Sequence, residues 1–357
     1  VSQRPSIWRR ALGRLRGPGA WRTWLGLGLL VAFTAYACYR LLQYDLRAID
    51  VGELLSRLSP ADIARVCAVY VVALALAIAG WGLILGALAG CWAWLDHVRI
   101  YLITQVTRRL PGTYWYVLGR VVMYERLGVA RGVTALSSGV ELAATCLGGL
   151  VVLLLTWPLV LGARDLSPLW IAPVLAGLAA LLNPPAVRWI VRKLSPHSPS
   201  VRYRDIMLWS LVYSLIWVLG GVILFLFAAP VEPRITPADL PAMIGIWVTA
   251  GMAAMTIFSF LPFGLGATEL TIATLAAGLL APAEALFVAF AMRAVMTACE
   301  LACGVVGLLF GLPGLLRGRT DGTVDHGGGS LSDAEKPEGV FEARPVVPRK
   351  EAGFGGK

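Results

Sequence analysis

The chain has 357 residues, of which 58% are hydrophobic and 15% charged, with a mean hydropathy of +0.73 and a formal net charge of +10. That balance excludes a soluble globular domain. The positive charge would suggest nucleic acid in a soluble chain, but here it falls in short segments between apolar runs, where it sets orientation, and no nucleic-acid partner is expected. The six cysteines (Cys38, Cys67, Cys91, Cys146, Cys299 and Cys303) lie in or beside apolar runs without a Cys-x-x-Cys, and the chain has three histidines. Neither a disulfide framework nor a metal site is indicated, and no cofactor is expected. Cys299 and Cys303, one helical turn apart, read as small residues that let helices approach closely.

In chain order, residues 1–23 carry Arg4, Arg9, Arg10, Arg14, Arg16 and Arg22 without an acid, directly before the apolar run Trp24 to Leu42. The run is too long for a signal-peptide core and lacks a small-residue cleavage site, so it reads as a retained span with a cytoplasmic N-terminus. Residues 43–65 mix acids and bases and are expected outside, before a second span from Val66 to Gly90. From Asp96 to Arg131 the chain is basic again. A third span runs from Val133 to Trp157 and carries Glu141, and a weak one runs from Pro168 to Leu182. Arg188, Arg192, Lys193, Arg202 and Arg204 mark a cytoplasmic loop, and a fifth span follows from Ile206 to Ala229.

Leu240 to Phe260 is apolar, Pro262-Phe263-Gly264-Leu265-Gly266 breaks it, and Ala267 to Leu280 is apolar but short. A helix of that length cannot comfortably cross about 30 Å of hydrocarbon. It is either a short span or the return arm of a re-entrant hairpin, and both put Ala281-Pro282 outside. The last helix, Ala283 to Gly311, then runs inward to Arg317 and Arg319. Segments assigned to the cytoplasm hold nineteen Lys and Arg against five outside. The composition beyond residue 316 predicts a disordered cytoplasmic tail over 317–357, with no soluble catalytic domain expected at either end. The fold class is therefore an all-α polytopic membrane protein with about eight membrane segments over residues 24–316, some broken or re-entrant, in the cell membrane.

Residues 108 to 120, Arg-Arg-Leu-Pro-Gly-Thr-Tyr-Trp-Tyr-Val-Leu-Gly-Arg, put charge, helix breakers and aromatics together. Pro111 and Gly112 break a helix, and in a bilayer such a break is tolerated where protein or water satisfies the freed backbone groups. One reading is a re-entrant segment from the cytoplasmic side whose Arg108, Arg109 and Arg120 match phosphate oxygens in pairs. The other is a juxtamembrane loop whose Tyr114, Trp115 and Tyr116 sit in the aromatic belt. Glu141 and Glu300 lie about 13 to 17 Å deep in their spans by helical rise, so each is expected to be protonated, paired or wetted. Arg293, two turns before Glu300, has Glu141, Glu269 or a lipid phosphate as candidate partners. An intramembrane ion pair that only locks packing is the simpler alternative. Leu110-Pro111-Gly112 before Glu141-Leu142-Ala143 echoes Leu261-Pro262-Phe263-Gly264 before Glu300-Leu301-Ala302, on helices running in opposite directions, as in inverted-repeat transporters.

On Leu110-Pro111-Gly112, Trp115, Gly119-Arg120, Glu141 and Pro262-Phe263-Gly264-Leu265-Gly266 with Glu269, the sequence resembles the lysylphosphatidylglycerol synthase transmembrane family. The resemblance extends over about residues 20 to 315 and implies a flippase-like integral domain that moves phospholipid between leaflets. It carries Pro111, Gly112, Trp115, Gly119, Arg120, Glu141, Gly264, Gly266 and Glu269 over as site residues, while Thr268 stands where a basic residue commonly precedes the glutamate. The aminoacyl-transferring domain of the fused members has no counterpart here. The expected function is translocation of an anionic amphiphile, a phospholipid or a polyprenyl-phosphate-linked glycan, captured near Arg108, Arg109 and Arg120 and passed along Glu141, Arg293 and Glu300. The alternative is an accessory subunit for a separate glycosyltransferase or lipid synthase. An intramembrane enzyme is disfavoured, because no nucleophile with a base and no His-x-x-His is recognisable.

Overall fold

The computed structural model describes residues 50–107, 114–160, 176–177, 183–194, 201–258 and 267–317, and every long regular element among them is an α-helix. In chain order they are α1 (Val51–Ser56), α2 (Pro60–Ala89), α3 (Trp94–Thr107), α4 (Tyr114–Glu125), α5 (Arg131–Val160), α6 (Pro184–Leu194), α7 (Tyr203–Val231), α8 (Leu240–Phe258), α9 (Ala267–Ala276) and α10 (Pro282–Arg317). The chain divides into two units, Val1–Leu312 and Pro313–Lys357.

Among the described residues five helices are long and apolar enough to cross a membrane: Pro60–Ala89, Arg131–Trp157, Tyr203–Val231, Pro237–Met255 and Pro282–Leu309. The chain is an all-α, multi-pass membrane protein. The first expected span and, apart from residues 176–177, the weak span from Pro168 lie outside the described residues, as does the tail.

Helix boundaries follow local chemistry more than hydropathy. The second span was expected from Val66, but α2 begins at Pro60, because Ser59 caps it. The Asp62 N–H donates to Ser59 Oγ at 3.2 Å, the Ser59 N–H donates to Asp62 Oδ2 at 2.9 Å, and Pro60 occupies the first turn. The helix ends at Gly90, whose left-handed φ of 66° closes the last turn. Residues 184–194, expected as part of a loop, form α6, whose Pro184-Pro185 start and apolar residues among Arg188, Arg192 and Lys193 suit an amphipathic helix.

Besides α1 and α6, three described helices are too short to cross. By helical rise α3 spans about 21 Å, α4 about 18 Å and α9 about 15 Å, against about 30 Å of hydrocarbon. On either side of residues 108–113, which lie outside the described residues, α3 and α4 are half-length helices packed on each other, with α3 also against α2 and α4 against α5. The second broken stretch consists of a full-length α8 followed by the half-length α9 packed on it.

The core centres on α7, which packs against α2, α5 and α8 and buries Trp209, Tyr213, Ile223, Leu224 and Phe227. The closest approach of a glycine to a neighbouring backbone among the described residues is at Gly221, where an added Cβ would lie 2.4 Å from Ile244 Cα. That neighbour is backbone and cannot rotate away, so Gly221→Val is expected to lower stability by about 3 kcal/mol or to abolish the monodisperse folded protein in detergent.

At one end of the bundle Arg57 Nη1 donates to the Val231 carbonyl at 2.7 Å and lies 3.6 Å from Glu284 Oε1. The start of α2, the end of α7 and the start of α10 are therefore at the same end, as the charge pattern of the loops requires. Beside them the Arg234 backbone N–H and guanidinium hold the Glu232 carboxyl below its ordinary range.

Candidate functional site

The half-length helices position the charged residues. On α4, Tyr116, Arg120 and Tyr124 recur every four residues and share the face turned into the bundle. On α5, Glu141 stands ten residues after Arg131, about 15 Å along the helix. The two meet: Arg120 Nη1 bonds Glu141 Oε2, with the Arg120 side chain 1% and the Glu141 side chain 3% exposed. A lone carboxylate at that depth would cost at least about 2.5 kcal/mol, and the guanidinium removes that demand.

Aromatic rings enclose the cation. The Arg120 guanidinium carbon lies 4.1 Å from the Trp81 ring centre, 4.4 Å from Tyr101 and 5.3 Å from Tyr116. All three fall within the reach of a cation–π attraction, and in a water-excluded site each contributes up to about 2 kcal/mol. Tyr101 also donates its hydroxyl to Glu141 Oε1 at 3.3 Å, and Arg120 Nε reaches Thr104 Oγ1 at 3.4 Å. One tyrosine thus serves both members of the pair, with its ring on the cation and its hydroxyl on the anion.

The Trp81 ring is held from behind. Its Nε1–H donates to Tyr124 Oη at 2.7 Å, and Tyr124 Oη lies 2.8 Å from His97 Nδ1. His97 Nε2 is 3.2 Å from the Cys91 carbonyl, which can only accept, so Nε2 carries the proton and Nδ1 accepts from Tyr124. The chain Trp81 to Tyr124 to His97 to Cys91 therefore has every donor matched to an acceptor.

A second pair stands at the other broken stretch. Arg293 Nε on α10 lies 3.3 Å from Glu269 Oε1 in the first turn of α9, with side-chain exposures of 29% and 4%. Arg293 is eleven residues into α10, about 16 Å from its start, so both pairs sit roughly half a bilayer from the start of their long helix. The acid and base are exchanged between them. In the first pair the half-length helix supplies Arg120 and the long helix Glu141; in the second the half-length helix supplies Glu269 and the long helix Arg293.

These placements revise several expectations. Arg120, expected with Arg108 and Arg109 to take a lipid phosphate at the broken segment, is fully buried with Glu141 as an anion beside it. Tyr116, which the juxtamembrane alternative put in the interfacial belt, is 8% exposed and forms part of the cage, while Trp115 beside it is 41% exposed. Gly119 lets α4 approach Thr104 of α3, whose Cγ2 would be 3.2 Å from an added Cβ. Arg293, for which Glu141, Glu269 and a lipid phosphate were the candidate partners, bonds Glu269. Glu300 is half-buried on α10. The internal echo is better described by Arg120–Glu141 and Glu269–Arg293 than by Glu141 and Glu300. Arg108, Arg109, Pro111, Gly112, Gly264 and Gly266 lie outside the described residues.

The sequence reading missed Trp81, Tyr101, Thr104, His97 and Tyr124. A signal was present for one of them, since Tyr116, Arg120 and Tyr124 at four-residue spacing mark one helix face, and a cation between two tyrosines there points to an enclosed site. Among the described residues no group of three or more His, Cys, Asp or Glu side chains gathers in a way that could hold a metal.

Neither the family models nor the curated proteins with which the chain was compared give a match. The class rests on fold and site: an all-α membrane protein with half-length helices and a caged, buried ion pair.

Proposed function

We propose that the protein translocates an anionic amphiphile, a phospholipid or a polyprenyl-phosphate-linked glycan, across the cell membrane. The arginine-rich segments and both termini lie in the cytoplasm. The observation that carries this reading is the Arg120–Glu141 pair, buried about half a bilayer deep between a half-length helix and a spanning helix. Broken helices that present charge near the midplane are how transporters hold polar cargo. The resemblance to the lysylphosphatidylglycerol synthase transmembrane family points the same way.

The chemistry is an exchange of anions on one guanidinium. A phosphate offers Arg120 the same paired oxygens that Glu141 offers, and the rings of Trp81, Tyr101 and Tyr116 keep the cation in place while its partner changes. Glu141, released, keeps the Tyr101 hydroxyl. The more exposed Arg293–Glu269 pair repeats the arrangement at the second broken stretch, so cargo meets one guanidinium at each.

The test is reconstitution into liposomes carrying head-group-labelled phospholipid or polyprenyl-phosphate sugar. Transbilayer movement above that of empty liposomes is expected for one of the two cargo classes. Movement of neither by demonstrably folded protein would overturn the proposal in favour of an accessory subunit that positions a separate glycosyltransferase or lipid synthase.

A further inference from the structure

The two described cysteines that come together across helices are Cys67 on α2 and Cys299 on α10, with their Sγ atoms 3.4 Å apart and both residues half-buried. They are 232 positions apart in sequence, so the contact is made by the fold. A disulfide bond is about 2.05 Å long, which leaves about 1.35 Å to close, a distance within reach of side-chain rotation on neighbouring helices. Cys303, one turn beyond Cys299 on the same helix, is a free thiol and serves as an internal control.

We infer that Cys67 and Cys299 form a redox modification site at which a hydroperoxide produces a disulfide that ties α10 to α2. In the first step the sulfur of one cysteine attacks the peroxide oxygen: an S–O bond forms, the O–O bond breaks, and the alcohol or water derived from the peroxide leaves. In the second step the other sulfur attacks that sulfenic acid: the S–S bond forms, the S–O bond breaks, and water leaves with the thiol protons. Two electrons pass from the thiols to the peroxide, and a reducing thiol reverses the product. An apolar hydroperoxide fits the site because both thiols lie within membrane-crossing helices.

The consequence concerns α10. Arg293, which bonds Glu269, is six residues before Cys299 on that helix. Farther along, Gly304 and Gly307 lie against Val106 and Leu102 of α3, where added Cβ atoms would meet those side chains at 2.1 and 2.6 Å. A bond at Cys299 fixes α10 between these two contacts, so any sliding of α10 needed to separate Arg293 from Glu269 is blocked. This effect on transport rests on the proposed function, whereas the bond itself does not.

The experiment treats the purified full chain in liposomes with an organic hydroperoxide and maps peptides without reduction by mass spectrometry. A Cys67–Cys299 cross-linked peptide is expected in the majority of the protein, lost on reduction with dithiothreitol, absent from Cys67→Ser and Cys299→Ser, and retained in Cys303→Ser. Recovery of Cys67 and Cys299 as free thiols or as sulfinic and sulfonic acids would overturn the inference, and so would a cross-link made through Cys303 instead. The wild-type map decides the matter even where a serine variant folds poorly. In the same liposomes, transport that falls on oxidation and returns on reduction supports the lock, and transport unchanged by a formed disulfide refutes it. A disulfide in protein that moves no lipid would refute the translocase reading and leave the modification site standing.

Discussion

Glu141→Ala is expected to destabilise the protein by about 3–5 kcal/mol, measured by denaturant titration in detergent micelles. The substitution leaves the Arg120 guanidinium, 0% exposed, without its anion. Removing one partner of a buried pair costs more than the pair contributes, because the remaining charge is neither solvated nor neutralised. Glu141→Gln keeps the shape and one oxygen acceptor for Arg120, with its amide N–H turned to the Tyr101 hydroxyl oxygen, so its loss is expected to be clearly smaller. Arg120→Lys retains the charge but not the planar face that lies against three rings, and is expected to lie nearer to the alanine variant. A loss below about 1 kcal/mol for Glu141→Ala would mean that water reaches the pair, because hydrated ion pairs contribute only that much.

Trp81→Ala is expected to cost a similar amount, about 3–5 kcal/mol, through a different route. Trp81 is fully buried, its ring is the closest of the three to the guanidinium, and its N–H anchors Tyr124 and through it His97. Trp81→Phe separates these contributions. It keeps a ring beside the cation and loses the donor to Tyr124, so a loss of about 1–3 kcal/mol is expected from the unmet hydroxyl acceptor. The energetic coupling of Trp81 and Arg120, obtained from a double-mutant cycle, should fall between about 0.5 and 3 kcal/mol, the range for residues in contact.

Much of the architecture was legible because the bilayer leaves few options. Runs of apolar residues longer than about twenty can only be helices that cross, and α5, α7 and α8 run within three residues of where hydropathy put them. Boundaries set by polar capping were less visible. The start of α2 is fixed by Ser59 and Asp62, which hydropathy counts as loop. Proline and glycine chemistry predicts a helix break at Pro111-Gly112, and among the described residues α3 ends at Thr107 before it and α4 begins at Tyr114 after it.

The site was legible in its charges and not in its pairing. Glu141, Arg120, Glu269 and Arg293 each attract notice as ionisable residues in apolar surroundings, and that rests on composition alone. Which acid meets which base depends on how α4 lies against α5 and α9 against α10, which a single sequence does not encode locally. The cage was hidden for the same reason. Trp81 lies in an ordinary apolar helix, and only the fold brings it within 4.1 Å of Arg120.

The caged pair either works in translocation or only holds helices together. The most direct measurement replaces both members at once with apolar residues of similar volume, Arg120→Met with Glu141→Leu, and compares stability and transbilayer lipid movement with the wild type in the same liposomes. Replacing a buried ion pair in this way is often neutral or stabilising. The expected result is a folded double variant, at least as stable as the wild type, whose lipid movement falls to that of empty liposomes. A stable double variant that moves lipid at the wild-type rate would contradict the account and leave Arg120 and Glu141 as a packing lock.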